Sequence, residues 1–202
     1  MIVKLYEKNP DQSLIRDIVE LLERGGVIIY PTDTVYGLGC DITKARAVER
    51  VAKIKGIKPE NANFAFICSD LSHLADYAKV DNNTFKLMKY YLPGPYTFIL
   101  NASGNVPKIL KQKKKTVGIR IPDNNIILEI VRQLGHPILT TSLREEDEIL
   151  EYFTDPEMIY EDYKDLVDMV IDGGYGGLIP STILDCTGDE PELIRSGLGE
   201  VL

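Results

Sequence analysis

Residues 30–39, YPTDTVYGLG, restrict the fold of this chain more than any other segment, because an apolar run meets a proline, short polar side chains and two glycines. The apolar residues 27–30 predict a buried strand, and Pro31 ends it because proline has no N–H for a ladder. Gly37 and Gly39 are expected to permit backbone that other residues resist. The polar side chains between them are those of Thr32, Asp33, Thr34 and Tyr36. They are predicted at the carboxyl end of a strand, where open α/β sheets bind ligands; the alternative is an ordinary strand-to-helix loop.

Strand and helix patterns alternate along the rest of the chain, with no repeat and no long linker. This alternation predicts one α/β domain over residues 1–202, with a mixed, twisted open sheet. Helices are predicted from Asn9-Pro10 to Gly25-Gly26, after a Thr43 cap, from Asp81, over 126–134 and from Thr154-Asp155-Pro156. Strands are predicted at 1–6, 27–30, 64–68, 96–100, 116–121, 137–141, 166–171, 182–185 and 193–194.

Composition excludes several classes of protein. No segment approaches the roughly 20 apolar residues of a membrane span, and the first residues have no signal-peptide pattern, so we expect a cytoplasmic protein with no membrane partner. The three cysteines, Cys40, Cys68 and Cys186, form no C-x-x-C pair and are expected to be free, buried thiols. The two histidines, His73 and His136, are too few for a histidine-rich metal site and are interpreted as structural.

The net charge of −8 argues against broad binding of a nucleic-acid backbone, which needs clustered basic side chains. One basic run is the exception: Lys108, Lys111, Lys113, Lys114 and Lys115. It is interpreted as a solvated surface loop, or else as part of a polyanion site. The acidic segment 144–154 supplies much of the negative charge, so a pocket elsewhere could still be basic.

Polar and basic side chains occur at several other predicted strand ends, although the standard phosphate-binding motifs are absent. The glycine-rich segment 173–177 lacks the lysine and hydroxyl of such a motif and is predicted to be a flexible turn. The polar set comprises Lys53, Lys55, Lys58, Arg120, Thr140, Thr141, Ser142, Ser181, Thr182 and Arg195. Taken singly, each of these residues is more often structural. Together they offer hydroxyls and cations with few general bases, which favours positioning and charge stabilisation of phosphates over nucleophilic catalysis.

The segment 31–38, PTDTVYGL, resembles the signature of the YrdC-like family, the threonylcarbamoyl-adenylate synthases. Further segments match the family's motifs in the same order, from about residue 10 to residue 200. They are Lys55-Gly56 (the start of K-G-R-P), 93–97 (P-G-P-x-T), 117–122 (V-G-x-R-x-P), Thr141-Ser142 (the start of T-S-A-N), 181–185 (S-T-x-x-D) and 194–197, the closing arginine-glycine element.

The resemblance implies a reaction that joins L-threonine, bicarbonate and ATP into threonylcarbamoyl-AMP, with release of pyrophosphate and with Mg²⁺ as the expected metal. The product supports threonylcarbamoyl modification of transfer RNA, so the tRNA-modification machinery is an expected partner. The resemblance assigns Thr34, Arg120, Thr140 and Ser181 to threonine binding. It assigns Lys55, Ser142 and Arg195 to the nucleotide, with Lys55 and Arg195 as the catalytic cations.

Four positions depart from the synthase pattern and resemble the YciO branch of the family. Ile57 and Lys58 replace the arginine and proline of K-G-R-P, Arg144 replaces the asparagine of T-S-A-N, and Phe66 stands where a histidine is usual. Lys58 and Arg144 are predicted as replacement cations for the nucleotide, although lysine and arginine are not equivalent phosphate partners. Two alternatives stay open: a duplex-RNA-binding protein without synthase activity, and a nucleotide-binding relative that has lost catalysis.

Overall fold

The computed structural model describes residues 1–59, 64–107, 115–143 and 154–201, and every structural statement below concerns these ranges. The helices are α1 (Gln12–Glu23), α2 (Ala45–Ile54), α3 (Leu74–Tyr77), α4 (Asn82–Tyr91), α5 (Asn125–Leu134) and α6 (Pro156–Tyr163). The strands are β1 (Ile2–Lys4), β2 (Val27–Tyr30), β3 (Gly37–Asp41), β4 (Ala65–Ile67), β5 (Ala78–Lys79), β6 (Tyr96–Ala102), β7 (Thr116–Arg120), β8 (Ile138–Ser142), β9 (Met169–Asp172), β10 (Thr182–Asp185) and β11 (Glu192–Arg195).

These strands form one open, mixed sheet in the order β1-β9-β2-β3-β8-β4-β7-β6-β10-β11, with β5 beside β6. The pairs β1–β9, β2–β9, β4–β7 and β6–β10 are parallel. The central pairs β2–β3, β3–β8, β4–β8 and β6–β7 are antiparallel. The predicted α/β domain with a mixed, open sheet is therefore confirmed.

Helices cover the two faces of the sheet unequally. The front face carries Tyr30, Gly118 and Thr140, and the back face carries Leu38 and Phe98; the strand register separates the two sets. On the back face, apolar residues of α2, α4 and α6 close one core with the sheet. On the front face, α1 and α5 form a second core that reaches β9 and β2 and touches β8 and β4.

Capping side chains explain where most of the helices begin. Asp11 caps α1 by accepting the backbone N–H groups of Ser13 and Leu14 at 2.8 and 3.1 Å. Asp81, Asn124 and Asp155 cap α4, α5 and α6 in the same way. The predicted Thr43 cap of α2 is wrong: its hydroxyl donates to Asp41 at 2.7 Å, and the helix begins after Lys44 with no side-chain cap.

The largest departure from the sequence prediction is β3. Gly37 and Gly39, expected in a loop, lie in a buried central strand paired with β2 and β8. Neither glycine has a positive φ, so backbone freedom is not the reason for their presence. A Cβ added to Gly39 would lie 2.2 Å from the carbonyl oxygen of Leu139, and one on Gly37 would lie 2.8 Å from Cζ of Tyr30. Glycine is required at positions 37 and 39 because there is no room for a side chain.

Smaller differences concern local elements. The short α3 and β5 were not predicted, and β9 begins at Met169 instead of residue 166. The prediction of free, buried thiols is confirmed, and burial raises the pKa of Cys68 to about 12 and that of Cys186 to about 11. Within the described ranges, no helix combines the length and apolar character needed to cross a membrane.

Candidate functional site

Part of the front face is not covered by any of the helices that the structure describes. Along β6, Thr97 and Ile99 on the front face are half-buried, whereas Phe98 on the back face is fully buried. The neighbouring front-face residues Ala65 and Gly118 are also half-buried and have little or no side chain. We call this area the open floor; it comprises Ser142, Ala65, Gly118, Thr97, Ile99 and Ile183.

Arg120 ends β7 beside the open floor and connects it to the loop at residues 31–36. Its Nη2 donates to Oδ1 of Asp33 at 2.5 Å, to Oγ1 of Thr34 at 2.7 Å and to Oγ1 of Thr32 at 3.2 Å. Thr32 in turn donates to the carbonyl of Val35 at 2.7 Å. These contacts hold the polar loop, which follows β2 as the sequence predicted, against the end of β7.

Two polar atoms of this cluster lack a partner. Oδ2 of Asp33 and Nε of Arg120 are buried and have no hydrogen bond to any described residue. A buried polar atom without a partner destabilises a protein by about 1–3 kcal/mol. Such atoms are rare in folded proteins and call for an explanation, such as a ligand or an ordered water. The cluster is therefore the first candidate for a ligand contact.

The glycine-rich segment at 173–177, for which the sequence predicted a flexible turn, packs against the polar loop. Oη of Tyr36 donates to the carbonyl of Gly174 at 2.6 Å, and the N–H of Gly177 donates to the carbonyl of Thr34 at 2.7 Å. A Cβ on Gly177 would lie 2.7 Å from that carbonyl oxygen, and Gly174 has φ +96°. Glycine here lets the backbone approach Thr34 closely enough to hold it.

Ser181 and Arg195 meet at the opposite side of the open floor. Nε and Nη2 of Arg195 donate to the carbonyl of Ser181 at 3.1 and 2.8 Å. The Ser181 hydroxyl shares a hydrogen bond with that of Thr97 at 2.9 Å. Thr97 lies opposite Arg120 in the β6–β7 ladder, so the two ends of the predicted threonine site are connected through Thr97.

Lys55 and Ser142 also come together. Nζ of Lys55, just beyond α2, donates to the carbonyl of Ser142 at 3.0 Å. Thr140, two residues before Ser142 on β8, accepts a hydrogen bond from Oη of Tyr30 at 2.5 Å. Lys58 is exposed three residues after Lys55. Arg144, the remaining predicted nucleotide ligand, lies outside the described residues.

The structure thus brings the predicted residues together as three groups along the open floor: Arg120 with Thr34, Ser181 with Arg195, and Lys55 with Ser142 and Thr140. Comparison with known proteins identifies the scaffold. A sequence model of the family described as Sua5/YciO/YrdC, telomere recombination, matches residues 20–197. The chain belongs to the Sua5/YciO/YrdC family.

Its relatives within the Sua5/YciO/YrdC family include two groups. The uncharacterised protein YciO of Escherichia coli is 44% identical over 199 residues, covering 98% of this chain and 95% of YciO. The crystal structure of Escherichia coli YciO has a TM-score of 0.92 at 42% identity, covering 99% of this chain and 97% of that one.

The second group comprises synthases. The threonylcarbamoyl-AMP synthase of Bacillus subtilis is 31% identical over 195 residues, covering 95% of this chain and 55% of the synthase. The crystal structure of Pyrococcus abyssi Sua5 complexed with L-threonine has a TM-score of 0.87 at 28% identity, covering 98% of this chain and 57% of Sua5. The chain is therefore related to threonylcarbamoyl-AMP synthases and spans a little over half the length of these two.

The departures from the synthase pattern lie in different surroundings. Phe66 is on the back face, 2% exposed, with its ring 5.8 Å from that of Tyr77 in an edge-on contact. The Phe66 side chain therefore contributes to core packing on the back face and lies away from the open floor. Ile57 is 40% exposed beside Lys58, so a charged side chain at residue 57 would be accessible to a ligand.

Three residues to which the family resemblance assigned no ligand contact the predicted set. Asp33, Thr97 and Tyr30 contact Arg120, Ser181 and Thr140, respectively. Asp33 and Thr97 lie inside motifs quoted for the family, so the motifs themselves were the available signal. Tyr30 had no such signal, because its role depends on a strand that was not predicted.

The remaining expectations concern the two histidines, the basic run and a metal site. His73 is exposed near Asp76, and Nε2 of His136 lies 3.7 Å from Oδ2 of Asp41, so both histidines lie apart from the three groups. Of the basic run at 108–115, only Lys115 is described, and it is exposed; RNA binding stays a prediction. In the part of the chain that the structure describes, no three His, Cys, Asp or Glu side chains cluster as a metal site.

Proposed function

We propose that this protein binds L-threonine, bicarbonate and ATP on the open floor and joins them into threonylcarbamoyl-AMP. The observation that carries the proposal is the Arg120–Asp33 cluster, in which one buried donor and one buried acceptor have no hydrogen-bond partner among the described residues. An α-amino acid supplies both kinds of partner, since its carboxylate accepts a hydrogen bond and its amine donates one. The relationship to a Sua5 protein crystallised with L-threonine supports the choice of amino acid.

The proposed threonine site is formed by Thr34, Arg120, Thr140 and Ser181. In this arrangement the Arg120 guanidinium pairs with the substrate carboxylate, and charge-assisted pairs of this kind are the stronger class of hydrogen bond. The Asp33 carboxylate accepts from the amine. Nε of Arg120 and Oδ2 of Asp33 are closed off from solvent, so binding requires a small movement of the surrounding side chains.

The proposed nucleotide site is formed by Lys55 and Ser142, with Arg195, Lys58 and Arg144 as further partners of the phosphates. Lys55 is tied to β8 through the Ser142 carbonyl, which limits where its ammonium can lie. Mg²⁺ in this proposal accompanies the triphosphate, because phosphate oxygens are its usual partners in nucleotide sites. Bound there, it would help to neutralise the charge of the triphosphate.

The proposed chemistry proceeds in two steps. First, bicarbonate loses hydroxide to give CO₂, and the nitrogen of the neutral threonine amine attacks the CO₂ carbon and forms an N–C bond. The proton that the nitrogen then loses combines with the hydroxide as water, which leaves a carbamate. Second, a carbamate oxygen attacks the α-phosphorus of ATP. The bond between the α-phosphorus and the oxygen that bridges the α- and β-phosphates breaks, and pyrophosphate leaves. Lys55 and Arg195 act as cations beside the transferred and leaving phosphates. The threonylcarbamoyl-AMP then serves tRNA modification.

Release of pyrophosphate tests the proposal. Wild-type protein with ATP, L-threonine, bicarbonate and Mg²⁺ should release it slowly, and omission of threonine or bicarbonate should abolish the signal. The substitution Ile57→Arg combined with Arg144→Asn restores the synthase residue at two of the four departing positions and should raise the rate, since each missing transition-state contact can lower a rate by about 10²–10³. Absence of threonine-dependent pyrophosphate from both proteins would reject the synthase proposal.

A further inference from the structure

Tyr30 is buried in the front-face core and yet contacts the proposed threonine site. It lies on β2, is 0% exposed, and donates from Oη to Oγ1 of Thr140 on β8 at 2.5 Å. The strand β3 lies between β2 and β8. The side chain therefore spans the width of a whole strand, and two adjacent strand spacings amount to about 9.6 Å.

The glycines of β3 make this reach possible. A Cβ on Gly37 would lie 2.8 Å from Cζ of Tyr30, and one on Gly39 would lie 3.1 Å from its Cε1. Real Cβ atoms at these separations would push the ring away from the sheet. The sequence GLG thus leaves a channel across β3 that is filled by the Tyr30 ring. The channel directs the hydroxyl to Thr140.

The direction of the hydrogen bond determines what Thr140 can offer a ligand. The hydrogen bond runs from Oη of Tyr30 to Oγ1 of Thr140, and burial, which raises the pKa of Tyr30, keeps the phenol protonated. A threonine hydroxyl has one proton of its own and two acceptor sites. No described residue accepts the Thr140 proton, so that proton remains available to a molecule on the open floor.

We infer that Tyr30 is a positioning residue that turns the Thr140 hydroxyl into a hydrogen-bond donor toward a carboxylate or carbamate oxygen of the bound amino acid. The inference rests on the proposed function and deepens it by assigning the Thr140 side of the threonine site a hydrogen-bond donor. Without the Tyr30 hydroxyl, the Thr140 hydroxyl can rotate and donate elsewhere. Tyr30 touches no substrate itself.

A double-mutant cycle on ligand binding tests the inference. Calorimetry would measure the affinities of L-threonine and of ATP for wild type, Tyr30→Phe, Thr140→Val and the double variant. Tyr30→Phe should weaken L-threonine binding about fivefold, the effect of one ordinary hydrogen bond, and leave ATP binding unchanged. In the Thr140→Val background, Tyr30→Phe should have no further effect on L-threonine. A purely structural role would lower the melting temperature without this pattern of coupling.

Tyr96→Phe is the matched control, since the Tyr96 hydroxyl donates to the Glu200 carbonyl at 2.7 Å, away from Thr140. It should leave L-threonine affinity unchanged in both backgrounds. Wild type that binds L-threonine with the same affinity as Tyr30→Phe would overturn the inference alone. Wild type that binds no L-threonine would overturn the proposed function, and the inference with it. Equal weakening by Tyr30→Phe with and without the Thr140 hydroxyl would also overturn the inference.

Discussion

The guanidinium of Arg120 and the carboxylate of Asp33 form an ion pair at 2.5 Å in which both side chains are about nine-tenths buried. The pair connects two distant parts of the sequence, the end of β7 and the loop that follows β2. It is incomplete as a hydrogen-bonding unit, because Nε of Arg120 and Oδ2 of Asp33 have no partner among the described residues. The same two residues thus contribute to the fold and to the proposed ligand site.

Arg120→Met should destabilise the protein more than removal of both charges does. Removal of one partner of a buried ion pair leaves an uncompensated charge and typically lowers the free energy of unfolding by about 3–5 kcal/mol. Arg120→Met with Asp33→Asn removes that charge and should recover at least ~1 kcal/mol of the loss. Urea unfolding of the two variants gives the comparison, and a double variant less stable than the single would contradict the pairing.

Lys55→Ala should weaken ATP binding by roughly ten- to a hundredfold, because charged hydrogen bonds are worth about 1.5–3 kcal/mol. Lys53→Ala is the matched control: Lys53 lies in the last turn of α2 and is exposed. Its removal lowers the positive charge of the same helix end by an equal amount and should change ATP affinity little. Calorimetry on both variants tests the assignment, and equal affinities for Lys55→Ala and wild type would remove Lys55 from the nucleotide site.

Gly39→Ala should destabilise the fold by about 3 kcal/mol or more, at the upper end of the effect of overpacking a core. The added Cβ meets the Leu139 carbonyl oxygen at 2.2 Å, and that backbone belongs to the paired strand β8. Gly104→Ala is the control, since a Cβ there meets no atom of a described residue within 4 Å. Thermal unfolding of both proteins would measure the difference, and similar melting temperatures would show that the channel across β3 adapts to a methyl group.

Duplex RNA should bind weakly and without specificity. The sequence has 31 acidic against 23 basic side chains, so the field over most of the surface repels phosphates. A gel-shift titration at near-physiological salt should detect no sub-micromolar complex. Sub-micromolar affinity that is lost when Lys113, Lys114 and Lys115 are changed to Glu would favour the RNA-binding alternative instead.

Sequence patterns predicted most of the scaffold because most elements carry their own signals. Capping aspartates preceded α1, α4 and α6, and short apolar runs marked strands such as β2 and β7. The strand β3 was missed because two glycines are poor strand formers. They are there for room beneath the Tyr30 ring, and that need arises only from tertiary packing.

The sequence motifs indicated residues for the candidate site and did not indicate how these residues are connected. Motif positions indicated Arg120, Thr34 and Ser181, but the ladder that sets Thr97 opposite Arg120 depends on strand order. Strand order cannot be read from local periodicity, since sequential strands are not always neighbours. The ion pair of Arg120 with Asp33 and the contact of Tyr30 with Thr140 also join residues far apart in the sequence. Local patterns could not predict these contacts either.

A crystal structure of the protein soaked with L-threonine and ATP tests the central claim most directly. We predict threonine density with its carboxylate at the Arg120 guanidinium and its amine at Asp33, within hydrogen-bond distance of the Thr140 hydroxyl. The triphosphate should lie beside Lys55 and Ser142, with its α-phosphorus facing the amine side of threonine. Nucleotide or amino-acid density away from the open floor, at ligand concentrations that saturate binding in solution, would contradict the proposed site.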